Sequence, residues 1–113
     1  MFVLENKTLI YVGIAAATIF SGMCPAFAES LTAANMLQQM NERDQYHYIA
    51  GVVAGLATAR VAKDGNETGS ACIEKWFYDT AGTRETIAKA FARFGDKAPS
   101  AIIYALTAKE CGK

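Results

Sequence analysis

Two patterns of apolar positions divide the chain. From Leu9 to Met23 no charged side chain occurs, and the run is carried by Leu9, Ile10, Val12, Ile14, Ile19 and Phe20. Beyond residue 30 the apolar residues recur at intervals of three and four, the period of a helix packed on one side. No run alternates β-branched with polar residues, and alanine, the strongest helix former, is frequent. The spacing predicts a first helix over 32–40, with Leu37 and Met40 on its apolar edge. Asn41 to Asp44 breaks it, and Asp44 is placed to cap a second helix over 45–62. On that helix Tyr48, Ile49, Val52, Leu56 and Ala59 fall within about 100° of arc and predict a core-facing stripe. Gly51 and Gly55 lie one turn apart on it and predict either close packing against a neighbouring helix or the contact face of a homodimer.

The stretch 63–70, rich in turn formers and without a large apolar side chain, reads as a loop. After it, Cys72, Ile73, Trp76 and Phe77 suggest one or two helical turns, with two of Trp76, Phe77 and Tyr78 in the core and one exposed. Thr83 is a candidate cap for a helix over 84–94, in which Ile87, Phe91 and Phe94 face inward and Glu85, Lys89 and Arg93 face water. Gly95 is a candidate left-handed helix end. Asp96 then caps a last helix with Pro99 in its first turn and Ala98, Ile102, Ala105 and Leu106 buried. The fold expected is all-α: a small four- to five-helix orthogonal bundle with one disulfide.

The uncharged N-terminal run changes the picture, because it reads as an export signal. Lys7 precedes it, and Ala26-Phe27-Ala28 sets small residues at −3 and −1 of a cleavage site. The run is shorter than the roughly 20 residues that span a bilayer. Residues 1–28 are therefore expected to be a signal peptide cleaved after Ala28, with an uncleaved anchor as the alternative. Residues 29–113 are one exported domain in this reading, periplasmic and free of the membrane once the signal is removed.

Composition then narrows the function classes. The chain has 11 basic and 11 acidic residues. Removing Lys7 and Glu5 with the signal leaves the domain balanced, so no net field draws it to nucleic acid or anionic lipid. Of three cysteines, Cys24 falls within the signal, leaving Cys72 and Cys111 to pair in an oxidising compartment, with two free thiols as the alternative. His47 is the only histidine, and no second ligand or activated nucleophile accompanies it. No cofactor, metal or catalytic residue is assigned, and the protein is expected to act by binding a protein partner rather than as an enzyme. Its partner-binding candidates are Lys63, Asp64, Asn66 and Glu67, in the polar loop.

Several segments also occur in a familiar order: Tyr48-Ile49-Ala50-Gly51-Val52-Val53-Ala54-Gly55-Leu56, Cys72 after a loop, Lys89-Ala90-Phe91-Ala92-Arg93-Phe94, and Ala105-Leu106 five residues before Cys111. In these the chain resembles the resistance-associated immunity proteins of type VI secretion systems, the Rap/Tai group, over roughly residues 36–112. The resemblance implies a small periplasmic helical domain with disulfides. It also implies an immunity role, binding and inhibiting a peptidoglycan-cleaving amidase delivered by a rival cell, with homodimerisation possible. Two other readings stand beside it: a non-enzymatic adaptor or subunit of an envelope assembly, and an acid-stress periplasmic chaperone.

Overall fold

The computed structural model of the protein describes residues 30–113; the signal peptide expected over 1–28 and its cleavage after Ala28 lie outside them. Residues 31–113 form one compact unit. It holds five helices, α1 (Ala33–Gln39), α2 (Glu42–Asp64), α3 (Thr68–Tyr78), α4 (Thr83–Arg93) and α5 (Pro99–Cys111). Among the described residues there is no strand, and no helix is long and apolar enough to cross a membrane.

Helix α2 organises the rest, packing along α3 and against α5, while α4 closes the unit against α1, α3 and α5. It begins three residues earlier than the sequence suggests. The cap is Asn41, whose side chain accepts from the Asp44 amide at 2.9 Å, so Asp44 sits inside the first turn instead of capping it. Its end is Gly65, left-handed at φ 71, whose N–H donates to the Val61 carbonyl.

The core is built from Ala33 and Met36 of α1, Val53 and Ala57 of α2, Ile73, Trp76 and Phe77 of α3, Ile87 and Phe91 of α4, and Ile102 and Ile103 of α5. On α2 the buried line therefore runs through Val53 and Ala57, rotated from the expected stripe. Tyr48, Ile49, Val52 and Leu56 are only half-buried, and Ala59 is exposed. Trp76 and Phe77 are buried and Tyr78 is exposed, the two-to-one split expected.

Several local expectations change in the second half. Thr83 is the first residue of α4, not its cap. The preceding Gly82 is left-handed at φ 85, and Thr83 is buried with its hydroxyl 2.7 Å from the Trp76 carbonyl. Phe94 ends α4 and is exposed instead of facing the core. Gly95 does not adopt the left-handed region; among the described residues Gly65 and Gly82 do. Its role is close approach. A Cβ there would lie 3.2 Å from the Ala34 Cβ, at the point where the Ala34 and Ala33 amides donate to the Gly95 and Lys97 carbonyls. Ala98, not Asp96, occupies the cap position of α5, and Pro99 follows it, fully buried. On α5 Ile102, Ile103 and Thr107 are buried, whereas Ala105 is exposed.

Among the described residues Gly51 and Gly55 meet no neighbouring helix: both are exposed, and a Cβ added at either finds nothing within 4 Å. In a single copy of the domain they then count as weak helix formers. Gly51→Ala and Gly55→Ala are each expected to raise stability, by about 0.5–1 kcal/mol, as seen in urea denaturation. A loss of stability in the isolated domain would show that a neighbour does approach this face.

Candidate functional site

The stretch 63–70 is far less of a loop than its composition suggests. Lys63 and Asp64 form the last turn of α2, Thr68 already belongs to α3, and only residues 65–67 connect them. Asn66 closes that link on itself, its side-chain oxygen accepting from the Thr68 amide at 3.1 Å. Asp64 pairs with Arg60. Of the four partner-binding candidates, the exposed Lys63 and Glu67 have no side-chain hydrogen bond or ion pair among the described residues, whereas Asp64 and Asn66 do. Helix α2 runs on through Ala62-Lys63-Asp64, and α3 starts at Thr68 although Thr68, Gly69 and Ser70 are weak helix formers, because its packing along α2 outweighs local propensity.

The side chains suited to recognition gather elsewhere, where the start of α2 meets the α3–α4 turn. Tyr46 and Val53 are seven residues apart, two turns along α2, so Tyr46 shares the face of the core line and emerges at its edge. Its ring stacks on Phe77, with centroids 5.8 Å apart and planes 23° from parallel. Phe77 in turn meets Tyr78 edge-on at 4.7 Å. Left-handed Gly82 turns the chain sharply, and Thr83 anchors the start of α4. Arg84 is thereby carried over the outer face of Tyr46, its guanidinium carbon 4.7 Å from the ring centroid. His47 lies beside the same ring, edge-on at 5.7 Å, and is exposed.

Two recesses share this cluster. One, of about 270 Å³, has an apolar floor of Ile49, Ile87 and Phe91 and a rim that includes Leu37, Glu42 and Arg84. The other, of about 260 Å³, runs past Tyr78 along the α3–α4 turn. Tyr46, Phe77 and Arg84 line both. Neither recess is lined by a histidine, cysteine or serine, and among the described residues no three His, Cys, Asp or Glu side chains converge. What the arrangement supplies is contact: an apolar slot, rigid rings, and a guanidinium already oriented by the ring beneath it. Arg84 and Tyr46 went unmarked in the sequence because each is an isolated residue, brought together across 38 positions.

The half-buried Arg60 is the other polar centre. It pairs with Asp64, and its Nη1 and Nη2 donate to the carbonyls of Gly112 at 2.8 Å and Cys111 at 3.2 Å. It thus neutralises carbonyls at the end of α5, beside the Cys72–Cys111 disulfide that ties α5 to α3. No protein-family model, curated protein or solved structure matches this chain.

Proposed function

We propose that the protein is a periplasmic immunity or inhibitor protein, without catalytic activity of its own, that binds and blocks a cell-wall-degrading amidase effector. The observation that carries the binding part is the Tyr46–Phe77–Tyr78–Arg84 cluster. Tyrosine and arginine at the mouth of an apolar slot are residue types on which protein–protein affinity concentrates: the tyrosine ring buries a large area with few rotatable bonds, and its face already orients the Arg84 guanidinium. The amidase as target is carried by the sequence resemblance, and the oxidising compartment by the disulfide together with the export signal. Lys63 and Glu67 form a second, purely polar surface for the same partner. Pairing of two copies through the open Gly51/Gly55 face belongs to the same reading, and Gly55→Leu is expected to abolish it without unfolding the monomer.

The test is a pull-down from periplasmic extract with the oxidised 29–113 domain as bait, its partners identified by mass spectrometry. Tyr46→Ala with Arg84→Glu is expected to lower capture of the partner at least tenfold, the effect of losing one interface hot spot. Lys63→Ala with Glu67→Ala is expected to lower it only a few-fold, as rim charges do. Equal capture by wild type and the Tyr46/Arg84 variant would remove the aromatic cluster from the interface. Retention of a single envelope protein without hydrolase activity would instead favour the adaptor, a reading supported by further exposed aromatics away from the cluster, Phe94 and Tyr104.

A further inference from the structure

A separate trough runs between α4 and α5, where Phe94 fails to enter the core. It holds about 230 Å³ and is lined by Ala90, Phe94, Ala101, Ile102, Ala105 and Leu106, with Lys97 at one end. Phe94, Ala101 and Ala105 are exposed, and Phe94 is 44% accessible. Small side chains along the walls leave room for larger ones from outside.

Basic residues outnumber acidic ones around this trough, Arg93, Lys97 and Lys109 against Asp96 and Glu110. The Arg93 guanidinium carbon lies 5.3 Å from the centroid of the Phe94 ring that lines it. Lys97 lines its end, and its nearest carboxylate, Asp96 at 3.5 Å, forms an ion pair in which both side chains are more than 60% exposed, weak enough to exchange. Lys109 is one helical turn beyond Ala105 and shares that face of α5. An apolar trough flanked by three cations is not self-complementary, so a second copy is a poor occupant. It is also open along its length, whereas an isolated small ligand needs most of its surface enclosed.

We propose that the α4/α5 trough is a docking site for an acidic amphipathic helix of a protein partner, with the helix's apolar side chains over Ala101 and Ala105 and its carboxylates beside Arg93, Lys97 and Lys109. This is the helix-in-groove mode of recognition, in which apolar anchors at i, i+3, i+4 and i+7 supply affinity and flanking charge supplies selection. The site does not depend on the amidase reading and shares no residue with the Tyr46–Arg84 recesses.

The experiment uses the ¹⁵N-labelled domain from Glu29 onward, whose residues 31–113 form one compact unit with its own core. The probe is a synthetic 18-residue amphipathic helix with leucine anchors and glutamate flanks; the control peptide has lysine at every glutamate. The glutamate peptide is expected to shift amides over 90–106 saturably. The lysine peptide is expected to bind at least tenfold more weakly, from the cost of like charges across an interface. Ala105→Glu, at an exposed position, should weaken the glutamate peptide about tenfold while leaving the thermal transition in place. Ala105→Gln should weaken it less, separating charge from bulk. Equal binding of both peptides, shifts mapping outside α4 and α5, or no saturable shift would overturn the proposal. So would binding only to phosphatidylglycerol vesicles, which would assign the trough to a lipid surface.

Discussion

Reducing the disulfide, or replacing Cys72 and Cys111 with alanine, is expected to remove about 4 kcal/mol of stability, a large share of what a domain this size has. The bond joins residues 39 apart in sequence, Cys72 in the first half of α3 and Cys111 at the end of α5. A closed loop of that length removes much of the freedom of the unfolded chain. Apart from the hydrogen bonds that Arg60 donates to the Cys111 and Gly112 carbonyls, little else holds the C-terminal turn of α5, since Cys111 is only half-buried and Gly112 and Lys113 are exposed. Urea titrations of the oxidised domain, the reduced domain and the double alanine variant give the difference directly. A loss below about 1 kcal/mol would mean that helix packing alone fixes α5, contrary to this account.

Gly69→Ala is the substitution with the next largest expected effect, although alanine is the better helix former. Gly69 is buried in the first turn of α3, and a Cβ there would stand 2.6 Å from the Nε and 2.7 Å from the Cζ of Arg60. The Arg60 Cγ lies at 2.8 Å, so the stem is blocked along with the guanidinium. Displacing this side chain sacrifices its bonds to Asp64, Gly112 and Cys111 together, and leaves Asp64 unpaired. Hydrogen bonds to a charged group contribute about 1.5–3 kcal/mol each when well shielded. The Arg60 side chain is 16% exposed and two of its three acceptors, Asp64 and Gly112, belong to exposed residues, so the combined cost is set lower, at about 2–3 kcal/mol. A double-mutant cycle isolates the cause. In an Arg60→Ala background, Gly69→Ala should be neutral or slightly stabilising, because the clash is gone and the helix-propensity gain remains. If Gly69→Ala costs the same in both backgrounds, the crowding lies elsewhere.

The helical class, the pairing of Cys72 with Cys111, and the division of Trp76, Phe77 and Tyr78 were all legible from local chemistry. The facing of α2 was not. Its apolar residues are spread around the helix among alanines and glycines, so an arc through Tyr48, Val52 and Leu56 looked as good as the line through Val53 and Ala57 that is buried. Only packing by α3 and α5 distinguishes them. The end of α2 was misread for a related reason: turn-forming residue types in 63–70 outweighed the fact that Lys63 and Asp64 suit a final helical turn closed by Gly65. Asn41 and Asp44 are comparable caps by type, and which one acts is fixed by where the chain leaves α1.

The candidate site was less visible still, because it is made by juxtaposition. Tyr46, Phe77 and Arg84 come from three helices, and none belongs to a recognisable motif. Arg60 and Gly69 carry the same lesson: their relation exists only because α2 and α3 pack side by side. A glycine whose neighbour is a long cation looks, in sequence, like any other residue in a polar stretch.

The central claim is that this domain acts by occupying an amidase. Its most direct test is a titration of that enzyme, recovered by the pull-down, with the oxidised 29–113 domain while peptidoglycan cleavage is measured. The account predicts activity falling to zero at one domain per active site, and a curve shifted at least tenfold to higher concentration for Tyr46→Ala with Arg84→Glu. Full cleavage at a several-fold molar excess of the domain, whose folding is verified by its thermal transition, would contradict it.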